Sequence, residues 1–421
     1  MKKSFLRKLT ITIVKPFTRF ASFFLKPITI FKWTGILPIR TISYKDFAPV
    51  SSYRDQGAFP GEKPRSIRGN DCWTATPTSP MVMGHFLELK NGIVNGSGYV
   101  FDETGRLIVG AAHRYSRKIK NRLLSHPYQL MPHIQKFNGT VAAVTASNQD
   151  AYFHWLFDLL PRLLMLEKAG TKPEKIYLQN RYRFQRETLE LLGMARKEDI
   201  INCDEFPLLS ASTLIVPCHE VMDGREFPAW VINFIRDSFM AHVPKNEGTT
   251  KNRLYISRAD ALFRRVLNEL EILPVLDEYG FTVVKLEKLS FLEQIALFRD
   301  AEAVVLPHGS GLANLVFCSK GIPVIELLPT QVLDHGYRLS MAVGLDYFFL
   351  NAQAGNSKTC EGTSHSGNIP YDFNISPQDL IDTFRLANID QIPKVTRIRP
   401  ILEVRHNLPS EYVQRPALGV K

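Results

Sequence analysis

The chain has 421 residues and a formal net charge of +11, with 45% hydrophobic and 22% charged residues. This composition is that of a folded protein, and the length exceeds what one hydrophobic core organises, so we expect two domains. The charge is concentrated in residues 1–45, which hold ten Lys and Arg and no acidic residue, whereas the remainder holds 42 basic and 41 acidic residues. Nucleic-acid binding is therefore disfavoured, because it would require basic residues spread over a folded face.

The N-terminal segment, residues 1–50, mixes aromatic and aliphatic residues with cations and is interrupted by Pro16, Pro27 and Pro38. It has no run of about 18 apolar residues, so no transmembrane helix is predicted. No apolar region precedes a small-residue cleavage site, so no signal peptide is predicted either. Aromatic groups that enter a headgroup layer, with cations that meet anionic lipid, predict a segment lying on a membrane surface. The alternative is that its apolar residues pack on the protein itself.

Residues 51–245 are predicted to form an N-terminal α/β domain. It begins with two short strands at 98–101 and 107–111, joined by a turn at Thr104-Gly105. Strands at 141–145, 176–178 and 213–216 then alternate with helices at 150–168 and 185–192. This alternation predicts a parallel sheet.

A polar linker is predicted at residues 242–251, and the alternation becomes regular after it. Strands are predicted at 254–257, 281–286, 303–306 and 323–327, with helices at 261–273, 291–298 and 312–318. This order predicts a Rossmann-like, doubly wound domain over 252–355, with ligands bound outside the carboxyl ends of its strands. Residues 356–421 form a C-terminal extension, for which packing back on the N-terminal domain is one arrangement.

The predicted helix 150–168 is apolar on most sides but carries one polar stripe at intervals of four residues: Asp150, His154, Asp158 and Arg162. Pro161 removes a backbone hydrogen bond and is expected to kink the helix beside the stripe. Charged groups on a buried helix are costly unless they are paired or face a cavity. The stripe is therefore either a satisfied polar network or an active-site wall with Asp158 or His154 as general base.

In the second domain, an apolar strand runs into the turn His308-Gly309-Ser310-Gly311, and a helix follows. Glycines allow a ligand to approach the backbone, and amides at a helix start attract phosphate. The turn is not the GxGxxG fingerprint, so it is equally typical of a tight connection.

Three arginines precede this turn in the chain. Arg258 lies at the carboxyl end of the first strand, where a guanidinium suits bidentate phosphate binding. On the predicted helix 261–273, two pairs of residues four apart share a face: Arg264 with Asn268, and Arg265 with Glu269. For the second pair the alternative is an exposed ion pair worth about 0.3–0.5 kcal/mol.

Glu326 ends the strand predicted at 323–327, where an acidic residue either accepts ribose hydroxyls or caps a neighbouring helix. The sequence contains no HExxH, Walker, GxSxG or DxD motif, so a metal site is not predicted. Its five scattered cysteines include no CxxC, so neither a zinc site nor a disulfide framework is predicted, and their pattern suits a reducing compartment.

Together these motifs resemble glycosyltransferase family 61, the group that includes capsular polysaccharide biosynthesis proteins. The resemblance lies in NQDAYFHWLFDLLPRLLMLE, RLYISRADALFRRVLNE and VVLPHGSGLANLVFCSKGIPVIELLP, within residues 140–330. It implies a GT-B-like α/β fold, with two Rossmann-like domains and a cleft between them. It also implies an inverting, metal-independent enzyme of class EC 2.4 that transfers a sugar from a nucleotide-sugar co-substrate to a glycan hydroxyl, without another cofactor.

Matched residue by residue, the resemblance assigns donor binding to twelve positions: Ser257, Arg258, Arg264, Arg265, Asn268, Glu269, His308, Gly309, Ser310, Gly311, Asn314 and Glu326. It assigns catalysis to Asp158 and His154. It places Arg162 and Trp155 on the acceptor side.

Eukaryotic members of this family generally carry a transmembrane anchor, and this chain resembles the bacterial members in lacking one. This implies a cytoplasmic protein, peripheral on the inner face of the plasma membrane, that acts in surface or capsular polysaccharide biosynthesis. Its expected partners are a nucleotide-sugar donor, a glycan or polysaccharide acceptor and an anionic membrane surface. Two alternatives are a pyruvyl- or phosphoryl-type transferase of polysaccharides and a non-catalytic nucleotide-binding scaffold.

Overall fold

The computed structural model describes ten stretches of the chain: residues 41–43, 52–55, 64–67, 82–109, 134–219, 227–244, 252–329, 334–352, 357–359 and 371–392. They form a mixed α/β protein made of two compact units. The first unit contains the described residues before 57, with those in 81–190 and 194–224; the second contains those in 57–80, in 191–193 and from 225 onward. The domain boundaries expected from the sequence stay predictions.

The predicted membrane-surface segment, residues 1–50, lies outside the described residues except for the strand Thr41–Ser43. Within the part of the chain that the structure describes, no helix combines the length and the apolar character needed to cross a bilayer. Membrane contact by residues 1–50 therefore stays a prediction.

One ten-stranded sheet organises the first unit. Its strands are β1 Thr41–Ser43, β2 Ser52–Asp55, β3 Val82–Lys90, β4 Ile93–Asn95, β5 Val100–Phe101, β6 Leu107–Val109, β7 Gln135–Ala143, β8 Lys175–Leu178, β9 Ile200–Asn202 and β10 Leu208–His219. Eight of them lie in the order β1-β6-β5-β4-β10-β7-β8-β9, while β3 pairs with both β10 and β2. Fully buried residues of the central strands, such as Val141, Tyr177 and Leu214, form its core.

Only part of this sheet is parallel, which corrects the expectation of a Rossmann-like first domain. Strands β10, β7, β8 and β9 run parallel, whereas β10 pairs antiparallel with β3 and β4, as does β5 with β4 and β6. The predicted turn at Thr104-Gly105 is confirmed, and the Oδ1 atom of Asp102 accepts from its backbone at Thr104 N (3.0 Å) and Arg106 N (2.8 Å). Such short links suffice for antiparallel neighbours, while parallel neighbours require a longer crossover.

The predicted helix 150–168 is present, but it contains a widened turn. It consists of α1 Tyr152–His154, a π-helical turn over Trp155–Leu159, and α2 Leu160–Lys168. The N–H of Leu160 donates to the carbonyl of Trp155, five residues back. Pro161 has no N–H and lies in the first turn of α2. The helix accommodates the missing hydrogen bond with a π turn and not with a simple kink.

The second unit contains a five-stranded sheet: β11 Asn252–Ile256, β12 Phe281–Val284, β13 Ala301–Pro307, β14 Pro323–Leu328 and β15 Asp346–Asn351. The strand order is β12-β11-β13-β14-β15, and every pairing is parallel. Numbered from its first strand, this is the 2-1-3-4-5 order of a doubly wound fold. The predicted Rossmann-like sheet is therefore confirmed in this unit.

Helices connect and cover these strands. In chain order the remaining helices of the described chain are α3 Arg183–Leu192, which belongs to the first unit through Glu190, then α4 Ala229–Met240, α5 Glu269–Glu278, α6 Phe291–Arg299, α7 His335–Val343 and α8 Pro377–Leu386. Single 3-10 segments span Lys197–Asp199, Leu286–Lys288 and Ser310–Phe317, and a hairpin pairs β16 Ser357–Thr359 with β17 Tyr371–Phe373. The helix predicted at 312–318 is thus a 3-10 helix that begins two residues earlier.

The helix predicted at 261–273 is wrong in its first half, since α5 begins only at Glu269. Arg264 has a left-handed backbone, with φ of 59°, which ends any helix there. Backbone hydrogen bonds explain the difference, because Phe373 N donates to Arg265 O and Leu267 N donates to Phe373 O. The backbone of Arg265 and Leu267 therefore forms its hydrogen bonds with a segment more than a hundred residues away, and not with neighbours in a helix.

The described part of the C-terminal extension packs within the second unit. Phe373, Leu380 and Phe384 are fully buried in the hydrophobic core of that unit. The ring of Phe384 stacks on Phe281 of β12, with centroids 5.1 Å apart. The sequence left open whether this extension packs back on the N-terminal domain. Residues 371–392 instead pack beside the Rossmann-like sheet of the second unit.

Candidate functional site

The topology of the second unit has a switch point between β11 and β13. These strands are neighbours, but the chain continues from β11 to β12 on one side and from β13 to β14 on the other. The connections therefore diverge at the carboxyl ends, which is where doubly wound sheets bind ligands. Ser257 and Arg258 follow β11, and the turn from His308 to Gly311 follows β13. The fold brings two of the predicted motifs to one switch point.

Arg258 and Gly309 lie against each other at this point. A Cβ atom built on Gly309 would fall on the Arg258 guanidinium. The backbone of Gly309 is extended, with φ of 166°, so a larger residue would meet no backbone strain but would have to displace the Arg258 guanidinium. The Nη2 atom of Arg258 donates to the carbonyl of Phe263 at 3.0 Å, while its buried Nε has no partner among the residues that the structure describes.

Arg264 adds a second cation to the same region. Its Nε is also buried, and the described residues offer that atom no hydrogen-bond partner. Burial lowers the pKa of Arg264. Burial, and after it the positive charge of Arg264, lowers the pKa of Arg258 to about 10. Two neighbouring guanidinium groups with unmet donors are a site that favours an anion.

Arg265 has a different role, because Asp372 neutralises it. Its Nε and Nη2 donate to Asp372 Oδ2 at 2.9 and 2.6 Å, and its backbone N donates to Oδ1 at 2.9 Å. The alternative considered for Arg265, an ion pair with Glu269, is wrong, since Glu269 instead accepts from the hydroxyl of Tyr255 at 2.8 Å. Asn268 bonds to both backbone groups of Ile375. Arg265, Asn268 and Glu269 were all assigned to binding of the sugar donor. Their contacts instead hold this loop to the segment 372–375 and to β11.

His308 is held by a buried carboxylate. Its Nδ1 lies 2.5 Å from Oε1 of Glu326, and Oε2 of Glu326 accepts from the hydroxyl of Tyr347 at 2.6 Å. Glu326 has no exposed surface. Of the two roles left open for Glu326, ribose binding does not match this burial, whereas its Oε2 lies against Gly336 in the first turn of α7.

The remaining residues assigned to sugar-donor binding make contacts that shape and support the fold in the described part of the chain. Ser257 Oγ accepts from the backbone N of Ala259 at 3.2 Å, which shapes the exit from β11. Asn314 is fully buried and donates to Gln294 Oε1 at 2.8 Å. Ser310 and Gly311 open the 3-10 helix after β13, and a Cβ on Gly311 would lie 2.9 Å from a methyl of Leu286.

The parallel part of the first sheet has its own switch point, between β7 and β10. From β7 the chain continues to β8 on one side, and it later returns to form β10 on the other side. The helix that carries His154 and Asp158 follows β7. By the same topological rule, this helix begins where a ligand is expected.

His154 and Asp158 form a close pair, with Nδ1 to Oδ2 at 2.6 Å. Burial lowers the pKa of His154, but the hydrogen bond and the charge of Asp158 outweigh this effect, so the net pKa is raised from 6.5. The His154 side chain is 25% exposed and that of Asp158 only 6%. His154 is therefore the member that can meet a substrate, and Asp158 lies behind it.

Two other residues of this helix are core residues. Trp155 has no exposed surface, and its indole donates to Thr188 Oγ1 at 2.8 Å, so its packing does not support an acceptor contact. Arg162 is also fully buried and donates to the carbonyl of Thr145 at 3.0 Å. Of the four-residue stripe, His154 and Asp158 form a hydrogen-bonded pair, and the charge of Asp158 also interacts with Arg162, whereas Asp150 precedes the helix.

Two residues of these clusters escaped the sequence analysis. Tyr347 lies in an apolar strand without a motif, and Asp372 lies in the extension where periodic signals are weak. Only pairing in space reveals them. In the described stretches of the chain, no three His, Cys, Asp or Glu residues are grouped as a metal site would require.

Residues 152–325 match the family model described as Glycosyltransferase 61. The chain is 28% identical over 211 residues to beta-1,2-xylosyltransferase XAX1 of Oryza sativa subsp. japonica, which covers 45% of this chain and 37% of that protein. It is 37% identical over 126 residues to the EGF domain-specific O-linked N-acetylglucosamine transferase of Drosophila melanogaster, covering 29% of this chain and 23% of that protein. The chain thus spans well under half the length of the curated relatives it matches.

The fold and the site define an α/β protein whose Rossmann-like sheet carries paired arginines and a glycine turn at its switch point. The match of residues 152–325 to the glycosyltransferase 61 model, and the similarity to two sugar transferases, confirm the resemblance found in the sequence.

Proposed function

We propose that this chain is a glycosyltransferase that moves a hexosyl or pentosyl group from a nucleotide-sugar to a hydroxyl of a glycan acceptor. One observation carries the proposal: Arg258 and Arg264 place two partly buried cations with unmet donors beside a glycine turn. A nucleoside diphosphate supplies the two negative charges that such a pair lacks. The match of residues 152–325 to a glycosyltransferase family model supports the same activity.

On the donor side, Arg258 and Arg264 bind the diphosphate, and the amides of the turn from Gly309 to Gly311 contribute further donors. The Nε2–H of His308 donates to a phosphate oxygen, because Nδ1 of the same ring is engaged by Glu326. These groups stabilise the negative charge that develops on the leaving oxygen. Transfer without a metal is part of this proposal, and retention of full activity in excess EDTA tests it.

On the acceptor side, His154 is the general base. Asp158 holds Nδ1, so Nε2 of the neutral ring accepts the proton of the acceptor hydroxyl. The acceptor oxygen forms a bond to the anomeric carbon while the bond from that carbon to the phosphate oxygen breaks, and the electron pair leaves with the nucleoside diphosphate. A single displacement of this kind inverts the anomeric configuration. A GT-B arrangement, with donor and acceptor bound by different domains, belongs to the same proposal.

The biological setting is proposed from the sequence. Ten cations without an acidic residue in 1–45 support a peripheral position on the inner face of the plasma membrane. Polysaccharide synthesis at that surface, as in capsule formation, would place a membrane-associated acceptor near the enzyme. Sedimentation with phosphatidylserine vesicles, compared with phosphatidylcholine vesicles, tests the membrane contact; equal binding to both would contradict it.

The function is tested by binding and by product mass. Native protein is screened by thermal shift with UDP-, GDP- and CMP-sugars, since a ligand that binds only the native state raises its stability. The sugars that bind are then incubated with glycan acceptors, and the products are weighed by mass spectrometry. We expect one donor to bind and to add one sugar residue to an acceptor.

A variant pair ties the result to the site. Arg258→Gln removes one cation of the anion site, whereas Arg196→Gln removes an arginine that is paired with Asp199 at the surface. We expect only the first to abolish the thermal shift. Addition of a pyruvyl or phosphoryl group instead of a sugar would establish the alternative transferase, and binding without turnover would establish the scaffold.

A further inference from the structure

Arg264 has a backbone conformation that its surroundings must maintain. Its φ is 59°, in the left-handed region that residues other than glycine rarely adopt. On the preceding side, the carbonyl of Phe263 accepts from Nη2 of Arg258 at 3.0 Å. On the following side, the backbone N of Arg265 donates to Oδ1 of Asp372 at 2.9 Å. The side chains of Arg258 and Asp372 therefore fix the two peptide groups that flank Arg264.

Asp372 is the more extensive of these two supports. It is 3% exposed, and its Oδ2 accepts from Nε and Nη2 of Arg265 at 2.9 and 2.6 Å. The strand that carries it, β17, extends the contact, because Phe373 N donates to Arg265 O and Leu267 N donates to Phe373 O. Both oxygens of the carboxylate are thus engaged by one residue, the one that directly follows Arg264.

The negative charge of Asp372 also reaches the anion site. Burial and the charge of Arg264 lower the pKa of Arg258, and the charge of Asp372 opposes them. By its charge alone, a carboxylate at this place weakens the binding of an anion, because like charges repel. Asp372 can therefore favour anion binding only through the geometry that it imposes, and its two effects have opposite signs.

We propose that Asp372 is a positioning residue of the anion site, which holds Arg264 in its left-handed conformation and so places its guanidinium beside that of Arg258. Both arginines have a buried Nε without a partner among the described residues, and they bind one diphosphate together only if both are held in place. The segment 372–375 is then part of the site, although it acts through Arg264. The inference rests on the proposed function in one respect, namely that the anion is the diphosphate of the sugar donor.

Substitutions at position 372 test the sign of the effect. Asp372→Ala removes all three hydrogen bonds to Arg265. We expect inorganic pyrophosphate, measured by calorimetry on the full chain, to bind roughly 10- to 100-fold more weakly, the range for one lost charge-assisted hydrogen bond. Asp372→Asn keeps the volume, but its amide nitrogen meets a donor of Arg265 in either orientation. It should give a smaller loss of the same sign.

The matched control is Asp300→Asn in the same unit. Asp300 accepts from Nε and Nη2 of Arg299 at 2.8 and 2.9 Å, as Asp372 does from Arg265, but it precedes β13 and so lies at the opposite edge of the sheet. Asp300→Asn should bind pyrophosphate like the native protein.

A double-mutant cycle shows whether Asp372 acts through Arg264. Arg264→Gln removes the cation itself and should weaken pyrophosphate binding by a similar factor. Asp372→Ala added to Arg264→Gln should then cost less than about twofold more, because the group that Asp372 positions is already absent.

A second readout needs no ligand. The Nε–H of Arg264 is followed by NMR and assigned by its absence from Arg264→Gln. Because this nitrogen is buried in the native protein, its hydrogen should exchange slowly with solvent. The exchange should become faster in Asp372→Ala and in Asp372→Asn, and it should stay as it is in Asp300→Asn.

Pyrophosphate binding that is unchanged or tighter in the variants at position 372 overturns the proposal, because the charge of Asp372 would then outweigh its geometry. So do losses that multiply in the double variant, or an unchanged exchange rate of the Arg264 Nε–H. If Asp372→Ala does not fold, Asp372→Asn decides by the sign of its effect and by its exchange rate.

The proposed function fails separately. If the native protein binds no pyrophosphate, the diphosphate site is wrong, while the exchange rate of the Arg264 Nε–H still decides the role of Asp372. Absence of sugar transfer, with pyrophosphate binding and exchange as expected, counts against the enzyme and leaves the positioning of Arg264 intact.

Discussion

The guanidinium of Arg258 occupies the space in which a side chain at position 309 would begin, so Arg258 and Gly309 depend on each other. This contact brings together the residues that follow two neighbouring strands, β11 and β13. It also explains why a glycine follows His308 although its backbone is extended. We expect the arginine to lose its position as soon as residue 309 acquires a Cβ.

Gly309→Ala should therefore weaken nucleotide binding at least tenfold, because the methyl group displaces the Arg258 guanidinium. Gly311→Ala is the matched comparison, since its methyl group meets only the end of the Leu286 side chain, which can move. Calorimetry with the nucleotide that gives the largest thermal shift checks both variants. Equal losses in the two variants would show that the glycines act through the turn itself and not through Arg258.

Asp158→Asn should lower kcat by roughly 10²–10⁴-fold, the range typical for general base catalysis, while donor binding stays intact. The pKa of His154 is raised by Asp158, and the base acts in its deprotonated form, so the native rate should rise as pH passes through that raised pKa. Without the carboxylate the pKa of His154 falls, and the rise should move to lower pH. A pH–rate profile of the variant that coincides with the native one would contradict this role.

The same pair makes stability depend on pH. The pKa of His154 in the folded protein is raised above its ordinary value of 6.5, so the folded state binds the proton more tightly than the unfolded state. This stabilisation is fully present below pH 6.5 and is lost as pH rises through the folded-state pKa. Urea denaturation of native protein and His154→Asn should therefore differ more at pH 5.5 than at pH 8.5. A difference that grows toward pH 8.5 would reverse the assignment.

Asp372→Asn should lower the free energy of unfolding by about 1–3 kcal/mol, because the Asp372 side chain is only 5% exposed and accepts three charge-assisted or backbone hydrogen bonds. The control is Asp204→Asn, which breaks the bidentate pair with Arg181, whose side chain is 52% exposed. That surface pair should be worth about 1 kcal/mol or less. Urea denaturation measures both, and a larger loss in Asp204→Asn would argue against an anchoring role for Asp372.

Much of the second unit could be predicted, because its signals are local. Four of the five strands follow from short apolar runs, and parallel strands with crossovers place Arg258 and His308 at the same edge. The helix carrying His154 and Asp158 was predicted from apolar residues on a helical period, and the spacing of four placed the two side chains in contact. These features depend on neighbours within a few positions, which a sequence displays directly.

The roles within the site could not be predicted in the same way. Arg265 and Glu269 have the spacing of an ion pair, but Asp372, 107 residues from Arg265, binds the arginine more completely. Glu326 ends a strand as a ribose-binding residue would, yet Tyr347 and His308 occupy both of its oxygens. The resemblance placed Trp155 on the acceptor side. Its side chain is instead enclosed by the core, where the indole donates to Thr188.

The sequence by itself determined three features: the segment that resembles the family, the Rossmann-like alternation after residue 252, and the candidate site residues at the ends of strands. It could do so because the hydrophobic period and the position of a strand end are properties of short stretches of chain. Only the tertiary structure decided which charges are neutralised and which are left to bind a ligand. Arg265 is neutralised by Asp372, whereas Arg258 and Arg264 each retain a buried Nε that has no partner in the described chain. That distinction depends on partners brought together from distant positions, and no local pattern records it.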